Sequence, residues 1–138
     1  MYDITITAVL PTATLPLLNA NDEPLLDDNK KPLSITLHGP GSAEFQRANA
    51  RRQNRVVDRL KKKGKADMTG EEQAANNADY YASLTVSFNG WDYPPAGNVS
   101  GPDLFKAAYS DPAIGFILDQ VAEFVGDWAN FTPKSAKP

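Results

Sequence analysis

Apolar and polar side chains alternate in two places near the start of the chain. Ile4, Ile6, Ala8 and Leu10 are interleaved with Thr5, Thr7 and Val9, and Leu33, Ile35 and Leu37 with Ser34, Thr36 and His38. A period of two lines up every second residue on one face of a strand, so 4–10 and 32–38 are predicted as strands able to pair antiparallel. Pro11 and Pro16 make 11–18 irregular, or an edge strand at best, because proline has no N–H to give a ladder. Residues 19–22 and 27–30 are rich in Asn and Asp and read as turns. A two-stranded ribbon is marginal in water, so its apolar face is expected to pack on helices or on another subunit.

The period changes at Ser42. Gly39, Pro40 and Gly41 end the second strand, Ser42 is a good N-cap, and a helix is predicted over 43–63. Phe45, Ala48, Val56 and Leu60 mark its inner face, interrupted by Arg52. Arg47, Arg51, Arg55 and Arg59 recur every four residues and form a second stripe winding slowly round it. Lys61, Lys62 and Lys63 complement the dipole at its end, and Gly64 suits the C′ position.

Thr69 and Glu72 have the spacing of a capping box. Ala74, Ala78, Tyr81, Ala82 and Thr85 then share a helical face. Leu84, Val86 and Phe88 also alternate, as in a strand, but the cap and the alanines favour one continuous helix ending at Asn89 and Gly90. A loop follows over 91–97. A short helix is expected from an N-cap at Ser100 to Tyr109, and another over 112–128, capped by Asp111 with Pro112 at N1. In that last helix Ile114, Ile117, Leu118, Val121, Phe124, Val125 and Trp128 make the strongest amphipathic pattern of the chain. The fold class is therefore α+β: an N-terminal antiparallel β-hairpin or small sheet (1–41), then a bundle of three to four helices (42–131). Residues 1–131 are expected to form one domain and 132–138 a flexible polar tail.

The 138 residues suit one domain, and 41% apolar with 22% charged residues is ordinary globular composition. Absence of cysteine excludes disulfides, thiolate metal sites and a thiol nucleophile, and one histidine excludes a multi-histidine site in a single chain. No cofactor is expected. No apolar run approaches the roughly 20 residues that span a membrane. The N-terminus lacks the basic flank and long apolar core of a signal peptide, so a cytoplasmic location is expected. Charge is unevenly placed. Residues 42–65 hold nine Lys/Arg against Glu44 and Asp58, a surplus of seven, between segments of net −3 (1–41) and −7 (66–138).

Individual candidates for chemistry are weak. His38 and Ser42 lie four apart, but no nucleophile elbow surrounds Ser42, which already serves as a cap. Residues 39–41 are no phosphate loop, and Asp22, Asp27 and Asp28 lack calcium-loop spacing. Trp91 and Tyr93 beside Pro94 and Pro95 have two readings: Trp91 folding back to close the core, or a loop exposed as a partner anchor. Arginine gives bidentate phosphate contacts, but the basic segment holds no aromatic beyond Phe45, which argues against nucleic acid. Exposed arginines add little stability, so the stripe is expected to act on partners more than on its own fold.

Residues 33–45, the arginine- and asparagine-rich helix 46–59, residues 83–91 and the run from Leu104 through Asp111 and Pro112 to Phe131 together resemble tail assembly chaperones of long-tailed (siphovirus-like) bacteriophages. That resemblance implies a non-enzymatic assembly factor of the infected bacterial cytoplasm, absent from finished virions. It implies two partners, the tape measure protein, which it would keep soluble, and the tail tube protein, which it would help recruit. Many such proteins also exist as a longer frameshifted product. The charge polarity suits self-association, and the candidate partner-binding residues are Arg47, Arg51, Arg55, Arg59, Trp91 and Tyr93. A small structural component of the virion or connector is the second reading, and a nucleic-acid-binding module using helix 43–63 the third.

Overall fold

The computed structural model describes residues 1–63 and 69–133. Three strands, β1 (Thr12–Pro16), β2 (Ser34–His38) and β3 (Thr85–Asn89), form one antiparallel sheet in that order. Four α-helices accompany it: α1 (Ala43–Lys63), α2 (Gly70–Ser83), α3 (Pro102–Tyr109) and α4 (Gly115–Val125). The α+β class expected from the changing period is the class observed, but two strands differ from expectation.

The first concerns the N-terminus. Residues 4–10 are not a strand; Ile4–Thr7 is a 3₁₀ turn capped by Asp3, whose carboxylate accepts from the Thr5 amide. The partner of β2 is instead the proline-bounded segment 12–16, an edge strand. Its odd-numbered residues face β2: Leu17 N donates to Leu33 O and Gly39 N to Pro11 O. The even positions Thr12, Thr14 and Pro16 thus point their backbone groups at the free edge, where a missing proline N–H breaks no ladder bond. Segment 12–16 takes this place because Leu17, which continues it, becomes a buried core residue.

The second concerns 85–89. The continuous helix expected to Asn89 stops at Ser83, and the alternation of Val86 and Phe88 wins as β3. Thr85 turns its hydroxyl to Tyr81 O and to the Tyr109 hydroxyl (2.6 Å), fixing the turn from helix to strand. A register shift between Thr36 and Leu37 accommodates the extra residue Val86. Strands are therefore not confined to the first 41 residues, and α1 and α2 interrupt the sheet rather than follow it.

One face of the sheet, Ile35, Leu37 and Phe88, meets the helices; Ile35 and Leu37 are fully buried. The other face is a polar net in which Thr14 meets Thr36 (3.2 Å) and the Asn89 amide donates to Ser34 and Thr36. Buried side chains from all three strands' surroundings and all four helices join one core, including Leu17, Ala48, Ala78, Tyr80, Phe105, Ile117, Val121 and Phe131. The Ser42 hydroxyl accepts from Phe45 N at 3.1 Å and the Thr69/Glu72 capping box is formed, as the sequence predicts. The cap of α3 is Gly101 rather than Ser100. The helix expected over 112–128 is divided: Pro112–Ile114 is a 3₁₀ turn, α4 ends at Val125, and Trp128–Phe131 is a new turn capped by Asp127. That turn rotates Trp128 outward (57% exposed) and buries Phe131 completely. Gly64 and residues 134–138 of the expected tail lie outside the described residues, while Thr132 closes the last turn on Ala129 O. Among the described residues no helix is long and apolar enough to cross a membrane.

Candidate functional site: the basic helix and its surroundings

Among the described residues, α1 joins the apolar core through Phe45 and the buried Ala48, both in its first half. Leu60, expected on the inner face, is 47% exposed. The second half is held to α2 by its cations. Arg52 lies over the Tyr80 ring, 4.4 Å from its centroid, and donates to Asn77 (3.0 Å). Arg55 pairs with Asp79, and Arg59 forks onto Glu72, with one arm at 3.0 Å. The Tyr80 hydroxyl, donating to Asn49 at 2.7 Å, completes the seam.

The four stripe arginines therefore divide into two pairs. Arg55 and Arg59 pair with Asp79 and Glu72 of α2, so this half of the stripe, expected to act on partners more than on its own fold, also ties α1 to α2. Arg47 is 67% exposed beside Glu44 (3.1 Å), and Arg51 is exposed. Arg59, together with the Thr69 amide and hydroxyl, holds the Glu72 carboxyl down to about 2.

Of the two readings of the aromatic loop, the structure brings Trp91 inward. Its ring stacks on Phe88 at 3.9 Å between centroids, 16° from parallel, and its Nε1 donates to Ser34 O at 2.9 Å. Tyr93 donates to Asp111 Oδ2 at 2.8 Å, which raises the tyrosine and lowers the aspartate. Both residues tie the loop to the body of the protein. The structure does not bring them to the arginines.

The Ser42 hydroxyl donates to Gly39 O (2.7 Å) while accepting from Phe45 N, and His38 Nδ1 faces Glu44 at 3.8 Å. Among the described residues no cluster of acids and histidine could hold a metal ion.

Two surfaces escaped the sequence reading. Leu10 N donates to Phe131 O at 2.6 Å, a groove is lined by Tyr2, Ile6, Thr7, Thr132 and Pro133, and Tyr2, Ile4, Ile6, Leu10 and Trp128 are exposed. The sequence allowed 11–18 an edge-strand role, which is the one it takes, but nothing in its pattern signalled that 4–7 would lie outside the sheet. The second surface is a cleft of about 560 Å³ between α2 and the start of α4, floored by Ala74, Ala75, Gly115 and Leu118 and edged by Glu71, Asp111 and Asp119. Among the described residues no lysine or arginine lines it. Finding it would have required knowing which flank of α2 faces α1. Comparison with protein-family models, curated proteins and solved structures finds no match to this chain.

Proposed function

We propose that this chain is a non-enzymatic tail assembly chaperone of a long-tailed bacteriophage, acting in the cytoplasm of the infected host and left out of the finished virion. It binds the tape measure protein, keeps it soluble, and presents it to tail tube subunits. The resemblance, which covers most of residues 30–131, supports the family, and the observation that carries the binding role is the exposed apolar surface beside the Leu10–Phe131 bond. Tyr2 and Ile6, each 69% exposed, share a groove there with Thr7, Thr132 and Pro133, and Ile4 and Trp128 are 70% and 57% exposed. Exposed apolar clusters of this kind mark interaction sites, and long amphipathic helices offer the matching stripe. This surface replaces the Trp91 loop as the tape measure contact, with Arg47 and Arg51 available at the solvent face of α1.

Co-expression with the tape measure protein tests this reading. Wild type should raise soluble tape measure and co-purify with it. Ile4→Asp with Ile6→Asp and Trp128→Ala should lose both effects at an unchanged folded fraction. If wild type does neither, and mass spectrometry finds the chain in purified particles, the virion-component reading takes its place.

A further inference from the structure

The outer edge of β1 is partnered at both ends and empty between them. At one end Leu10 N donates to Phe131 O. At the other, the Gln120 side-chain amide of α4 accepts from Leu18 N and donates to Leu18 O, both at 2.8 Å. That paired bond is what one residue of an antiparallel neighbour would give, so Gln120 stands where a fourth strand would run. Even positions turn their backbone groups to this edge. Thr12 and Thr14 therefore present N–H and C=O there, and Pro16 its C=O. Among the described residues these groups make no hydrogen bond. Beside them runs a groove of about 580 Å³, with Ala13 on the strand side and Phe124 and Asn130 opposite. A further space of about 220 Å³ continues it past Leu15 to Glu123. Glu123 is exposed and is the one charged residue among the described residues lining either part.

We propose that this slot receives an extended segment of a partner protein, which adds to β1 as a fourth, antiparallel strand. Partner residues opposite Thr12 and Thr14 exchange both backbone bonds, and the one opposite Pro16 donates to its carbonyl. Residues directly opposite each other share a face of the sheet. Thr14 meets Thr36 on the polar face, so partner residues opposite Thr12, Thr14 and Pro16 are threonine or serine. Ala13 and Leu15 pack on the core, so the residues opposite them are apolar and turn into the groove against Phe124. A lysine at the partner's amino-terminal end, opposite Leu17, comes beside Glu123. The fitting segment is thus a basic residue followed by alternating hydroxyl and short apolar side chains. A second copy of β1 is a poor occupant. Pairing about Thr14, the register of longest overlap, sets Pro16 against Thr12 at both ends and loses a bond at each. The slot asks only for a short extended segment, so it stands whether or not the tape measure reading does.

The probe is the acetylated, amidated peptide Lys-Thr-Val-Thr-Val-Thr, titrated into the full chain and followed by amide NMR. The Thr12 and Thr14 amides should shift, saturate below about 1 mM peptide and exchange more slowly with solvent. N-methylation of the second and third threonine nitrogens, which face β1, should weaken binding about tenfold. N-methylation of the two valine nitrogens, which face away, should change it little. Glu123→Gln should weaken it several-fold at low salt and have less effect at high salt. Thr14→Pro removes an outward donor that no ladder bond uses and should abolish binding, with circular dichroism reporting that the fold is kept. If Thr14→Pro unfolds, the N-methylated peptides still decide, because they leave the protein unaltered. Ile4→Asp with Ile6→Asp and Trp128→Ala should bind the peptide as wild type does, which separates this slot from the surface assigned to the tape measure protein. Unmoved Thr12 and Thr14 amides, or equal weakening by both N-methylated pairs, would overturn the proposal. So would loss of binding in the Ile4, Ile6 and Trp128 variant. Dimers in sedimentation velocity that the peptide dissociates would overturn it in favour of a second copy.

Discussion

Phe131 shows how close the packing runs. A Cβ added to Gly39 would lie 2.3 Å from its ring, so glycine is required there for close approach. Phe131→Ala should cost about 3–5 kcal/mol, the usual range for emptying a buried aromatic site. Gly39→Ala should cost about 1–3 kcal/mol by overpacking, and combining it with Phe131→Leu should cost less than the sum. Urea denaturation midpoints check all three. Phe131 was not legible from spacing because Trp128 continues the helical stripe of Val121 and Val125. Only the Asp127 cap, whose carboxylate accepts from the Ala129 amide at 3.0 Å, reveals that a new turn exchanges the two aromatics. Trp91 teaches the converse. The reading in which it folds back was available from sequence, but its partner was not, because Phe88 faces it only if 85–89 is a strand. Trp91→Phe should keep most of the stack and lose about 1 kcal/mol with the Ser34 bond, whereas Trp91→Ala should lose more.

Among the elements, α1 was the most legible, with Ser42 to Lys63 placed as expected, and its mode of attachment the least. Its inner face is largely cationic because its counterpart on α2 is acidic, a relation between two helices that neither pattern contains alone. The clamp gives a pH signature. Glu72 is held near 2 in the folded protein, below the ordinary glutamate value of about 4.3 in an unfolded chain. Its contribution is present above that ordinary value and is lost as pH falls through about 2. Wild-type urea midpoints should therefore decline on acidification across this window, and Arg59→Ala should flatten that part of the profile. Thr69→Ala removes the cap and should cost about 1 kcal/mol, with faster amide exchange in the first turn of α2. On the sheet, Pro16 sits with its backbone nitrogen at the free edge of β1. Pro16→Val restores an outward donor and should lower solubility on concentration without weakening the β1–β2 ladder, since unguarded edges invite pairing between chains.

At the scale of the whole molecule, sheet and helices contribute to one core, so they should melt together. Far-ultraviolet circular dichroism and the fluorescence of Trp91 and Trp128, which lie in different surroundings, should give one denaturation curve. Separate transitions would show two units. The order of events in folding follows from where the helices enter the chain. His38 N donates to Leu84 O at 2.7 Å, so the backbone leaves the sheet and re-enters it at one point, with α1 and α2 between. β3 cannot find β2 until that long excursion has closed on itself, and closing it is what the Arg55–Asp79 and Arg59–Glu72 clamps assist. Loss of either clamp should then slow refolding in stopped-flow kinetics rather than only hasten unfolding. Ion pairs at the far side of a helix pair would set the time at which a strand arrives.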